Sequence, residues 1–342
     1  GGDCPGLNAV IRAAAKGAFA RGWEIVGIHN GFDGLLPGGR AVPLRPKHVR
    51  GILNLGGTIL GTVNRGDPLK PTPARRDPVG LIVRRARSLG LDAVICIGGD
   101  GTLSAALALS KRGLNIVGVP KTIDNDVSGT AITFGFDTAV STATDAIDKL
   151  HPTAASHRRV MVVEVMGRHA GWIALNSGIA GGADVILIPE IPFTIEKVCE
   201  KVEHRYRGPG FAIIVVAEGA RPAGGGGFAK AGGGIHETKF GGAAEWVAKE
   251  VERLTGRESR FLVLGHLQRG GHPTTFDRLV GTRFGAEAVR MIGRGQFGRM
   301  VSLRPPDIGH CSLKEAVGKL KLVPPGSDAV AAARDLGISF GD

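Results

Sequence analysis

Aromatic residues are scarce: they make up 5% of the 342 residues and include one tyrosine, so no platform of Phe and Tyr interleaved with Arg for stacking bases is visible. Cysteine is equally sparse. Cys4, Cys96, Cys199 and Cys311 stand far apart, without a CxxC pair or a His at zinc spacing, and read as reduced cytosolic thiols. No run of about 18 apolar residues occurs, which argues against a spanning helix. A charged n-region followed by an apolar h-region is also missing. The chain starts without Met on GGDCPGLN, a glycine loop of the kind a strand delivers, so we expect that a first strand has been cut off.

Glycine, by contrast, is abundant: 55 residues, about twice the usual share, with no three-residue period. It therefore marks turns and ligand loops. The length suggests two domains, or one large domain with a lobe. Forty-three Lys and Arg against 31 Asp and Glu give +12, which favours an anionic partner. With so few aromatics, small phosphates fit better than nucleic acid.

Apolar runs of β type alternate with helical patterns, the signature of βαβ units and a parallel sheet. Strands are expected at 24–29, 92–97, 115–119, 159–165, 184–188, 211–217 and 260–265. Helices are expected at 6–20, 80–88, 102–112, 136–149, 168–180, 194–206, 243–254 and 276–293. Several strands are continuously apolar, as strands buried on both faces should be. Residues 219–243 hold too many glycines to pack and read as a flexible surface insertion.

The strand DAVICI runs into Gly98-Gly99-Asp100-Gly101-Thr102 and then a helix. Glycines there let backbone N–H groups approach a phosphate, the helix start is partially positive, and an acidic residue can hold Mg2+. A plain glycine turn with Asp100 as helix cap fits the pentapeptide too. The next strand ends in Pro120-Lys121-Thr122-Ile123-Asp124-Asn125-Asp126. Ligands bind beyond the carboxyl ends of strands, so the two clusters are expected to converge on one crevice. Two carboxylates beside a lysine suit phosphoryl transfer, one accepting a hydroxyl proton while its neighbour faces the metal, although an Asx-rich turn gives a similar pattern. Met166-Gly167-Arg168-His169-Ala170-Gly171 and Gly265-His266-Leu267-Gln268-Arg269-Gly270-Gly271 offer further phosphate or sugar contacts.

GGDCPGLNAVIR (1–12), GGTILGTVNRGDP (56–68), IGGDGT (97–102), PKTIDND (120–126), SHRRVMVVEVMGRHAG (156–171), PE (189–190), AEG (217–219) and GHLQRGG (265–271) together resemble the phosphofructokinase family, in order and over roughly residues 1–300. The resemblance implies an α/β fold of two Rossmann-like lobes, with mostly parallel sheets flanked by helices and the active site in the cleft between them. Residues 1–135 would form the phosphoryl-donor lobe and 136–300 the fructose 6-phosphate lobe, with 301–342 packing back on both. It implies a cytoplasmic enzyme that uses ATP and Mg2+ to phosphorylate fructose 6-phosphate, with no nucleic-acid or membrane partner.

Position by position, the resemblance makes Asp124 the base for the 1-hydroxyl, with Arg168 as a second catalytic residue, and Asp100 the Mg2+ holder. Gly1, Phe32, Arg65, Gly101, Thr102 and Lys121 fall on the donor side. Thr122, Asp126, Met166, Gly167, Arg168, Glu218, His266 and Arg269 fall on the sugar-phosphate side. Arg159 and Arg260 match arginines that cross a subunit interface to the neighbour's 6-phosphate, implying a homodimer or homotetramer. Two departures stand out. Arg65 comes one residue later than in the commonest pattern, and Lys121 replaces the glycine of the bacterial ATP enzymes, as in the pyrophosphate-dependent branch. That branch carries an aspartate after Asp100, where it repels a nucleotide's α-phosphate. Here the position is Gly101, which favours ATP over pyrophosphate as donor. A non-catalytic regulatory subunit would have lost the base, whereas Asp124, Asp126 and Arg168 are all present.

Overall fold

The computed structural model describes residues 2–63, 69–73, 75–225, 228, 230–231, 238–239 and 241–342. The strands are β1 (Val26–Ile28), β2 (Ala41–Pro43), β3 (Val94–Gly98), β4 (Ile116–Pro120), β5 (Val160–Val165), β6 (Val185–Leu187), β7 (Ala212–Ala217), β8 (Lys230–Ala231), β9 (Thr238–Lys239), β10 (Ser259–Val263), β11 (Arg299–Arg304) and β12 (Asp307–Ser312). The helices are α1 (Leu7–Phe19), α2 (Pro78–Ser88), α3 (Asp100–Lys111), α4 (Phe136–His157), α5 (Trp172–Ala180), α6 (Ile195–Tyr206), α7 (Ala243–Thr255), α8 (Thr275–Gly293), α9 (Leu313–Gly318) and α10 (Asp328–Asp335).

The chain divides into two compact units. The first comprises Gly1–Thr122, Asp126–Thr138 and Arg269–Leu320; the second comprises Ile123–Asn125, Ala139–Gln268 and Lys321–Asp342. The linear division expected from sequence, 1–135, 136–300 and 301–342, is drawn differently here. Residues 269–320 return to the first unit because β11 pairs in parallel with β4, and because α8 packs along α1. That helix pair is close: a Cβ on Gly285 would stand 2.5 Å from the Val10 carbonyl oxygen, so a larger residue would push the helices apart.

In the first unit the sheet order is β12-β11-β4-β3, with β3 and β4 parallel and Gly98 opposite Pro120. Asp277, fully buried, ties the start of α4 to α8. Its carboxylate accepts from the Gly135 and Thr138 amides, both at 2.8 Å, and from Thr138 Oγ1. Burial pushes its pKa up to about 6, against the pull of those hydrogen bonds.

The second unit is built on an all-parallel sheet, β10-β5-β7-β6. β7, AIIVVA, is buried along its whole length, which accounts for its unbroken apolar sequence. Ala244, Val247, Ala248 and Val251 give α7 an apolar stripe at helical spacing that packs into the core beneath this sheet. Each fully buried Val or Ile here contributes roughly 1.5–3 kcal/mol. Within the 219–243 insertion, the described residues include a short antiparallel ladder between β8 and β9.

Candidate active site

Because β3 and β4 run parallel and in register, their carboxyl ends bring Gly98-Gly99 and Pro120-Lys121-Thr122 side by side. The Lys121 amide donates to the Gly98 carbonyl at 3.0 Å, and Thr133 Oγ1 donates to the Thr122 carbonyl at 2.7 Å, fixing the path just past β4. Gly98 is required there, since a Cβ would stand 2.3 Å from Thr102 Cβ. Asp100 opens α3 with no side-chain hydrogen bond capping the helix, and its carboxyl pKa is raised by burial. A Cβ on Gly101 would meet no atom within 4 Å. Phe32 and Thr102 line one cavity of about 680 Å³ that is otherwise largely aliphatic. Arg269, in this unit, donates to the Asp3 carbonyl. Gly1 and Arg65 lie outside the described residues.

Lys121, Thr122, Asp124, Asn125 and Asp126 are all buried. The first unit holds Lys121, Thr122 and Asp126, whereas Asp124 and Asn125 are grouped with the second. Asn125 adopts φ +53°, a left-handed conformation uncommon outside glycine, so the backbone turns sharply between the two aspartates.

In the second unit, β5, β7, β6 and β10 deliver the Met166-Gly167-Arg168-His169 loop, Glu218, Glu190 and His266 to one sheet edge. Glu218 Oε1 accepts from the Arg168 amide at 2.9 Å and the Gly167 amide at 3.3 Å. The loop it holds turns through two positive φ values, +141° at Gly167, where glycine is free to adopt it, and +53° at Arg168, where it is strained. Gly219 leaves room for it, since a Cβ there would stand 1.9 Å from the Arg168 carbonyl oxygen. Helix α5 consequently starts at Trp172 rather than at 168 as the pattern predicts. Burial raises the Glu218 carboxyl pKa, with Asp124 as a neighbouring negative charge adding to the rise. His169 is lowered by burial and by the charges of Arg221 and Arg168, with Asp124 opposing.

Glu190 was quoted in the sequence only as part of a motif. Its carboxylate accepts the Gly171 amide at 3.0 and 3.1 Å and the Val323 amide at 2.9 Å. Arg159 and Arg260 are not brought to this edge. Both pair with Glu258, Arg159 at 2.8 Å, at the amino ends of β5 and β10. Among the described residues no group of three or more His, Cys, Asp or Glu could hold a metal ion unaided. No described helix is long and apolar enough to cross a membrane.

The family profile described as Phosphofructokinase matches residues 1–292, leaving 293–342 beyond the matched span. This chain is similar to the ATP-dependent 6-phosphofructokinase of Chloroflexus aggregans, 57% identical over 346 residues that cover 100% of this chain and 96% of that protein. It is also similar to the pyrophosphate-fructose 6-phosphate 1-phosphotransferase of Amycolatopsis methanolica, 53% identical over 328 residues that cover 95% and 94% of the two chains. Among solved structures, phosphofructokinase from Saccharomyces cerevisiae matches with a TM-score of 0.80 at 31% identity, covering 98% of this chain and 45% of that one.

Proposed function

The chain belongs to the phosphofructokinase family, and from that premise we propose that it transfers the terminal phosphoryl group of ATP to the 1-hydroxyl of fructose 6-phosphate, giving fructose 1,6-bisphosphate and ADP. The observation that supports this reading is the register of β3 and β4, with Gly98 opposite Pro120, so that the Gly99-Asp100 turn and Lys121-Thr122 leave the same end of one sheet.

In this reading the uncapped amides at the start of α3, with Gly101 and Thr102, take the donor phosphates, and Phe32 sits on the adenine side. Gly1 and Arg65 belong to the same donor side by sequence. Asp124 accepts the 1-hydroxyl proton as the oxygen attacks the terminal phosphorus, and the bond from that phosphorus to the bridging oxygen of ADP breaks. Lys121 and Arg168 neutralise the charge spreading over the transferring group. Asp126, Thr122, Met166, Gly167, Glu218, His266 and Arg269 orient the sugar phosphate.

Asp100 would hold Mg2+, which when bound offsets phosphate charge. A single half-buried carboxylate fits a cation that takes most of its ligands from phosphate and water.

Arg159 and Arg260 act on a neighbouring subunit's 6-phosphate. The six residues of β5 lie between Arg159 and Met166, seven steps of ~3.3 Å or about 23 Å, too far for either arginine to serve its own chain's loop. The edge strand β10 supports such an oligomer, exposing Phe261 (47%), Leu262 (38%) and Val263 (48%). Four buried, unpaired cysteines are in keeping with work in the cytoplasm.

Pyrophosphate is the second reading for the donor, favoured by the buried Lys121. Initial rates with fructose 6-phosphate, Mg2+ and either donor decide between them. We expect kcat/KM for ATP to exceed that for pyrophosphate at least tenfold, a difference of about 1.4 kcal/mol. The reverse order would transfer the proposal to pyrophosphate.

A further inference from the structure

Beyond the family-matched span, residues 321–323 pass the site loops of the second unit and are tied to them. Lys321 Nζ donates to Asn125 Oδ1 at 2.7 Å. Its own carbonyl accepts Trp172 Nε1 at 2.8 Å, and its ammonium lies 5.7 Å from the centre of the Trp172 ring. Two residues on, the Val323 amide donates to Glu190 Oε1, the carboxylate that also holds the Gly171 amide. One short segment is thus bonded both to the loop of Asp124 and to the residues that follow Arg168.

Asn125 gives this bond its consequence. Asparagine tolerates a left-handed φ but also populates the ordinary regions, so a bond to its side chain biases it toward the conformation seen here. Relaxation of Asn125 would turn the peptide that follows Asp124 and re-aim its carboxylate. Asn125 is 4% exposed, so a charged donor reaching its side chain is worth more than one in water.

We propose that Lys321 is a positioning residue: by pinning Asn125 in its left-handed conformation, it sets the direction of the Asp124 carboxylate, so that the carboxyl-terminal segment forms part of the machinery of transfer. This rests on the reading of Asp124 as the base. Its effect on Asp124 runs through the bond to Asn125 Oδ1.

Lys321→Met keeps a side chain of similar length and the backbone carbonyl bonded to Trp172, and removes the donor and its charge. It should lower kcat about tenfold or more, as a small misplacement of a reacting group does, while both KM values stay within about twofold. Lys321→Arg, which can still donate, should recover most of the loss. Asn125→Gly keeps the backbone conformation accessible and removes the acceptor. Combined with Lys321→Met, it should cost no more than the worse single variant. Hydrogen exchange over residues 123–127 supplies a readout independent of turnover and should accelerate in Lys321→Met. Unchanged exchange there, or kcat within twofold of wild type, would overturn the proposal. So would losses that multiply in the double variant. Faster exchange in Lys321→Met, with a wild type that fails to phosphorylate fructose 6-phosphate, would keep the strap and sink the functional reading instead.

Discussion

Replacing Gly101 with aspartate places a carboxylate in the first turn of α3, at a position where a new Cβ meets no atom within 4 Å. The fold should accept it. Aspartate is a better helix former than glycine by a few tenths of a kcal/mol, and an acid in the first turn gains about 0.3–1 kcal/mol from the helix dipole, partly offset by the adjacent Asp100. Net stability should therefore change by less than about 1 kcal/mol. Activity is another matter. Two unit charges about 5 Å apart at an effective dielectric of about 20 repel by roughly 3 kcal/mol, or a few hundredfold in kcat/KM. That penalty falls on ATP, whose α-phosphate must pass this position, and far less on pyrophosphate, which has none. Steady-state kinetics with both donors, alongside thermal melts of the variant, separate the effects. An intact fold with undiminished ATP turnover would refute the argument that Gly101 admits the nucleotide.

Two further predictions concern other elements. Arg159→Ala or Arg260→Ala should raise KM for fructose 6-phosphate with little change in KM for ATP; co-refolding either with a variant defective at Arg168 should restore part of the activity in hetero-oligomers, and mixtures that never recover would count against a shared site. Asp277, raised to about 6 in the fold from an ordinary 3.8, contributes stability that is complete below pH ~4 and lost as pH rises through 6, a span worth roughly 3 kcal/mol. Urea unfolding should therefore show the advantage of wild type over Asp277→Asn shrinking between pH 4.5 and 7, and a pH-independent difference would contradict this account.

β7 was legible because burial on both faces leaves an unbroken apolar run, AIIVVA, while DAVICI shows as an apolar run although β3 stands at a sheet edge and is only partly buried. The strands β11 and β12 were not: RMVSLR and DIGHCS mix charged, small and apolar residues, and only the pairing of β11 with β4 and of β12 with β11 reveals them. The helix expected from 168 begins four residues later, because Glu218 binds the Gly167 and Arg168 amides and holds Arg168 at a positive φ that no α-helix contains. GGDGT and PKTIDND were legible as neighbours because each follows a strand. The bond from Lys321 to Asn125 was beyond reach, joining positions 196 residues apart through a lysine with no local motif around it. Asp277 likewise reads as an ordinary acid near a helix start until its three donors are seen.

The central claim is that Asp124 removes the proton of the 1-hydroxyl while ATP supplies the phosphoryl group. Rapid-quench single turnover with γ-labelled ATP and fructose 6-phosphate, on wild type and Asp124→Asn, measures it directly. The account predicts label in fructose 1,6-bisphosphate, a rate lower by ~10²-fold or more in the variant, and nearly unchanged affinity for fructose 6-phosphate. A variant that keeps more than about a tenth of the wild-type rate would contradict it.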